Sequence, residues 1–220
     1  MIAALLALAC APKAAPAVVA PPVEGPPPPP SERVLLDGTE PVIGNASATI
    51  TIVQYSDFLC VHCAKGFEVL AAYTDTHPDV KLVFKTFPLS MECNPELGVS
   101  TIPDRCTLAY VAECGARAGR FRETAAAIYS DIATLGAAGA TPDALAKIAG
   151  RAALDPVALQ GCVADATVRD AVMADAHEGM RLRIRGTPSF WLTRDGRPGF
   201  ELFEGDPAQV VTRLDQWRTP

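Results

Sequence analysis

Two cysteines set two residues apart, in Cys60-Val61-His62-Cys63, are the side chains of this sequence whose spacing could by itself do chemistry. Thiols at that separation can hold a zinc ion or cycle between dithiol and disulfide, and the flanking sequence decides between the two. Residues 49–55 are rich in β-branched types and predict a buried strand that runs directly into the motif. From Cys63 the apolar residues Phe67, Leu70 and Tyr73 recur at helical spacing, ending near His77-Pro78. A pair set between strand and helix puts Cys60 at the helix N-terminus, where unpaired N–H groups and the positive dipole end favour thiolate over thiol. That is redox chemistry. Cys63, one turn later, is expected to be less exposed and within reach to close the ring, and His62 can lend positive charge or a hydrogen bond to the Cys60 thiolate.

The elements that must hold this pair follow in order. A second strand over residues 80–87, stopped by Pro88, completes a strand–helix–strand unit whose crossover makes the two strands parallel. Before it, residues 34–36 and 41–43 flank Asp37-Gly38, a turn signal, and predict an edge hairpin or a short strand. Residues 103–180 show no strand pattern. There Thr141-Pro142 and Asp155-Pro156 each put a capping side chain ahead of proline at the first helical position, and Gly136 and Gly150 read as helix stops. The alanines at 125–127 and 137–140 suit close helix packing rather than chemistry. Residues 189–193, the turn Asp195-Gly196 and residues 200–203 then form a hairpin, and Asp206-Pro207 caps a last helix ending near Trp217.

With these elements in place, residues 32–218 resemble the DsbA family of bacterial thioredoxin-fold proteins. The likeness rests on Tyr55-Ser56-Asp57-Phe58-Leu59-Cys60-Val61-His62-Cys63, on the helical insertion, and on Gly186-Thr187-Pro188-Ser189-Phe190. It implies an α/β, thioredoxin-like fold of βαβ and ββα halves with an all-helical insertion at about residues 100–182. It also implies that Cys60 is the nucleophile, that Cys63 resolves the mixed disulfide, and that Pro188 is cis and faces the active pair. The Thr187 backbone would then pair with an extended substrate peptide. The activity implied is an enzyme's: dithiol-disulfide exchange that introduces disulfides into exported proteins, with no cofactor. The implied partners are thiol-bearing clients and a membrane quinone-linked thiol oxidase resembling DsbB or a vitamin K epoxide reductase homologue, with the protein itself monomeric.

Two residues depart from the family pattern. Val61 stands where the most oxidising members carry proline, and Gln54 stands where relatives usually bury an acid that can take the resolving thiol's proton. Asp57 is a substitute for that acid or else an N-terminal capping or surface residue. Thr187 before the proline is also what reductases and isomerases of DsbC or DsbG type carry, which makes that activity the nearest alternative. A metal-binding module using Cys60, Cys63 and a histidine is the more distant one.

The other signals concern location. A formal net charge of −6 offers no basic surface and argues against nucleic acid as a partner. Residues 1–10 are an apolar export-like segment ending at Cys10, a candidate for lipid attachment, although no Lys or Arg precedes the run and Leu8 lies one position off the usual lipoprotein pattern. Residues 11–31 are a proline-rich linker, extended and semi-rigid, able to hold a domain over residues 32–220 roughly 60 Å from an anchor. Periplasm or cell envelope is the expected compartment. Seven cysteines divide into Cys10, the redox pair, and Cys93, Cys106, Cys114 and Cys162. The last four allow three pairings; 93–106 with 114–162 is preferred for closing local loops, with buried free thiols as the alternative. His77 and His177 read as surface or helix-end residues, Trp191 as strand packing, and Arg181, Arg183 and Arg185 as a solvated face.

Overall fold

The computed structural model describes residues 34–98, 103–194 and 201–218. The export-like segment with Cys10, the proline-rich linker and the Asp195-Gly196 turn lie outside the described residues. Five strands form one sheet: β1 (Val42–Gly44), β2 (Ile50–Ser56), β3 (Val80–Thr86), β4 (Ser189–Arg194) and β5 (Glu201–Glu204), in the order β1-β3-β2-β4-β5. Only β2 and β3 run parallel, because α1 (Val61–Thr76) crosses between them; the other neighbours are antiparallel. The helical insertion is α2 (Arg105–Arg117), α3 (Phe121–Ser130), α4 (Ile132–Ala138), α5 (Pro142–Arg151), α6 (Pro156–Val163) and α7 (Ala166–Arg181), and α8 (Pro207–Arg218) closes the fold.

Every residue of β2 is buried, because both faces of the sheet are covered. Ile50 and Ile52 point with Leu82, Phe84, Phe190 and Leu192 into the larger core, which also takes Phe67 and Leu70 of α1, Ile128 and Tyr129 of α3, and Leu214 of α8. Val53 and Tyr55 point the other way, onto Val83, Trp191, Phe87, Leu182 and Ile184. Each of these side chains contributes about 1.5–3 kcal/mol by leaving water. Arg181, Arg183 and Arg185 alternate with the buried Leu182 and Ile184, so the arginines face outward.

Three local expectations change. Residues 34–36 pair with no strand: Val34 packs into the second core and the Leu35 N–H donates to the Glu178 carboxylate at 2.5 Å, so β1 alone opens the sheet, at its edge. Gly136 and Gly150 lie within α4 and α5. Those helices stop at Gly139, whose φ of 81° supplies the turn away from the axis, and at Ala152. The alanines of 125–127 lie in α3 with Ala125 and Ala127 buried, whereas Ala137 and Ala138 are exposed and only Ala140 of the second run packs against the core. The capping signals hold: Thr141 and Asp155 accept from the N–H groups of Ala144 and Ala158.

Disulfides join Cys93 to Cys106 and Cys114 to Cys162. The first ties the loop after β3 to the start of α2, and the second ties α2 to α6. Together they staple the insertion to itself and to the sheet.

Candidate active site

Cys60 is the N-cap of α1, in extended backbone, and its Sγ accepts the Cys63 N–H at 3.2 Å. The thiol also reaches the Thr187 carbonyl oxygen at 3.4 Å. A sulfur that accepts a backbone N–H is stabilised as the anion, and the Cys60 thiol falls from the ordinary 9.0 to about 6. The Cys63 thiol is the largest cause; partial burial opposes it, and Thr187 and the Cys63 N–H add to the lowering. His62 is not among the main causes. It is exposed on α1 and lines a groove of about 600 Å³ with Lys65, Val69, Thr187, Asp206 and Pro207, between the N-terminal ends of α1 and α8.

Cys63 is the opposite kind of sulfur. It is fully buried, and burial pushes its thiol well up, reinforced by the negative charge that Cys60 carries. The dithiol is thus asymmetric: one sulfur is ready to exist as thiolate at neutral pH, and its partner is held protonated. The Thr187–Pro188 peptide bond is cis, and Pro188 is buried beside the pair while the Thr187 hydroxyl is buried with no hydrogen-bond partner. That hydroxyl lowers both cysteines, as a donor aimed at thiolates does.

Gln54 lies beneath the pair on β2, fully buried between Phe84 and Phe190 on the neighbouring strands. Its Nε2 donates to Ser56 Oγ at 2.7 Å and to the Cys63 carbonyl at 3.3 Å. Gly66 allows this approach, since a Cβ there would stand 3.3 Å from Nε2 and 3.0 Å from Phe190. Asp57 is not on the surface. It is 1% exposed, takes the N–H groups of Leu59 and Leu89 at 2.7 Å each, and pairs with the Arg105 guanidinium at the start of α2. Its charge slightly disfavours the Cys60 thiolate.

Three residues of this site were not singled out in the sequence. Ser56 and Arg105 gather around Gln54 and Asp57, and Tyr129 of α3 is buried with its ring stacked on Phe58 and tilted against Phe67, at centroid distances of 5.2 and 5.4 Å. Ser56 stood inside the quoted motif, whereas nothing in the run around Tyr129 marks it. The two other histidines lie elsewhere, His77 at the C-cap of α1 stacked on Tyr73, and His177 exposed within α7 and bonded to Glu96. Among the described residues, no three His, Cys, Asp or Glu side chains gather as metal ligands, and no helix is long and apolar enough to cross a membrane.

A family model described as thioredoxin matches residues 36–195. No curated protein matches the chain. Among solved structures, DsbA2 of Pseudomonas aeruginosa is similar at 24% identity, with 80% of this chain and 92% of that one covered and a TM-score of 0.63. Wolbachia pipientis alpha-DsbA1 is similar at 17% identity, covering 83% and 92%, with a TM-score of 0.65. A periplasmic thioredoxin-like protein from Salmonella enterica serovar Typhimurium is similar at 17% identity, covering 81% and 89%, with a TM-score of 0.61. These likenesses show the fold, an α/β thioredoxin-like sheet carrying a helical insertion, as the sequence pattern implied.

Proposed function

The chain belongs to the thioredoxin family, and from that membership and the asymmetry of its cysteine pair we propose that it is an extracytoplasmic thiol-disulfide oxidoreductase that introduces disulfides into exported proteins. In the forward reaction a client thiolate attacks Cys60 Sγ of the Cys60–Cys63 disulfide. The S–S bond breaks with its electron pair going to Cys63, and a client–Cys60 mixed disulfide forms. A second client thiolate attacks the client sulfur, the client leaves oxidised, and Cys60 departs as a thiolate. The lowered Cys60 thiol, about 6, carries this reading, because a protein that stabilises its reduced thiolate gives up its disulfide readily.

Extended clients would lie in the groove at His62 and Thr187, pairing with the Thr187 backbone beside Pro188. Two structural disulfides suit an oxidising compartment, in keeping with a periplasmic or envelope location and with Cys10 as an anchor. Reoxidation falls to a membrane thiol oxidase linked to quinone. The second reading, a reductase or isomerase, draws on the Thr187 side chain and on Val61, which is exposed beside Cys60.

Equilibration with glutathione distinguishes them. An oxidase should equilibrate well above thioredoxin's roughly −270 mV and be recovered from cells mostly as the Cys60–Cys63 disulfide after alkylation trapping. A potential at or below the thioredoxin value, with a dithiol in cells, overturns the oxidase reading. Loss of all exchange in Cys60→Ser, with clients trapped on Cys60 in Cys63→Ser, checks the assignment of roles.

A further inference from the structure

The bend that carries Thr187 and Pro188 is held by a side chain that the exchange chemistry does not touch. Ser189 is fully buried, and as the first residue of β4 it pairs with Tyr55 of β2 on one side and Glu204 of β5 on the other. Its backbone is therefore fixed by the sheet. Its hydroxyl reaches back across the bend and donates to the Gly186 carbonyl at 2.8 Å, which gives a buried hydroxyl the partner it needs. On the far side the Gly205 N–H donates to the Pro188 carbonyl at 2.9 Å, from a backbone whose φ of 84° favours glycine. Between these two bonds the Thr187 carbonyl oxygen lies 3.4 Å from Cys60 Sγ, and among the described residues it has no other hydrogen-bond partner. A carbonyl can only accept, and in the disulfide Cys60 has no hydrogen to give, so this oxygen is open to an N–H from outside.

We propose that Ser189 is a positioning residue for client recognition: its bond to Gly186 holds the Thr187 carbonyl beside Cys60, where a backbone N–H of an extended client takes it. Thr187 and Gly205 line one groove with His62 and Pro207, so the bend and the end of β5 form a single wall along which such a chain can lie. Among the described residues no other donor reaches the Gly186 carbonyl. Without the Ser189 hydroxyl the bend is tethered at its Pro188 end alone, and the Thr187 carbonyl is free to swing away from Cys60. A client that pairs through its backbone then loses its alignment on the disulfide. A small thiol has no backbone to align and meets the same sulfur as before. Ser189 therefore sets a preference for polypeptide over free thiols, and it does so through Thr187 rather than through either cysteine.

This rests on the exchange reading, and one experiment separates the two. The oxidised protein is mixed with reduced dithiothreitol, or with a short unstructured peptide holding two cysteines, and the loss of its Cys60–Cys63 disulfide is followed by acid quenching and alkylation. Ser189→Ala should react with the peptide about fivefold more slowly than the wild type, the factor that one hydrogen bond is worth, and with dithiothreitol within about twofold of it. Methylating the peptide nitrogens on either side of each cysteine should slow the wild type by about the same factor and slow Ser189→Ala little further, because both changes break one contact. A merely structural defect would slow both reductants alike. Equal slowing with the two reductants, no slowing with either, or methylation costs that multiply with the substitution overturns the role of Ser189. A wild-type disulfide that neither reductant opens overturns the exchange reading instead.

Discussion

At the scale of single residues, the two sulfurs differ because one sits where α1 begins and the other one turn inside it. Cys60 collects the Cys63 N–H and the neighbourhood of Thr187, and Cys63 collects mainly burial. Thr187→Val keeps the shape and removes the hydroxyl that favours both thiolates. Its iodoacetamide alkylation midpoint should move up from about 6 toward the ordinary thiol range, which a pH series on the reduced protein measures. Much of this was legible in the sequence: Cys60 and Cys63 announce themselves by type and spacing, and Thr187 and Pro188 through the resemblance to the DsbA family. Tyr129 could not, because its ring partners Phe58 and Phe67 are more than 60 positions away and only the packing of α3 against the start of α1 brings them together. His62 illustrates the reverse, a residue prominent in the motif whose side chain ends up in the exposed groove.

Between elements, Asp57 is the joint. Its two oxygens hold the turn before α1, the loop after β3 and the first turn of α2, where Cys106 is bonded to Cys93. Asp57→Ala leaves the Arg105 charge buried without its partner and should destabilise the protein by about 3–5 kcal/mol, read from urea unfolding. The same substitution removes a charge that opposes the Cys60 thiolate, so Cys60 should alkylate at lower pH even as the fold weakens. A side chain that served only as a cap would not give these two opposite changes. The elements themselves were largely readable, since buried strands and proline-capped helices carry local signals. The helix ends marked by Gly136 and Gly150 were not, because an exposed glycine inside a helix costs only about 1 kcal/mol and needs no turn.

For the whole molecule, redox state and stability are linked through Cys60. Its ionisation in the folded dithiol is depressed to about 6, so the dithiol gains stability that is fully present above the unfolded thiol's 9.0 and is lost as pH falls through about 6. The disulfide form has no such titration. Thermal unfolding of the two forms should therefore show the dithiol's advantage over the disulfide shrinking steadily between pH 8 and pH 5, and an advantage independent of pH across that window would contradict the depressed ionisation. The architecture was legible because both halves of the sheet carry their own patterns. The burial of Lys85 among Glu40, Asp175 and Glu178 behind the sheet was not, since one partner comes from the segment before β1 and the other two from α7, and no spacing joins either to β3.

That rear cluster also fixes where the chain enters. Leu35 hangs from Glu178 on the side of the sheet opposite α1 and α8. The described chain therefore begins, at Val34, on the back of the sheet, where a tool carries its handle. The groove at His62 and Thr187 opens on the other side, so Val34 and Leu35 leave it uncovered.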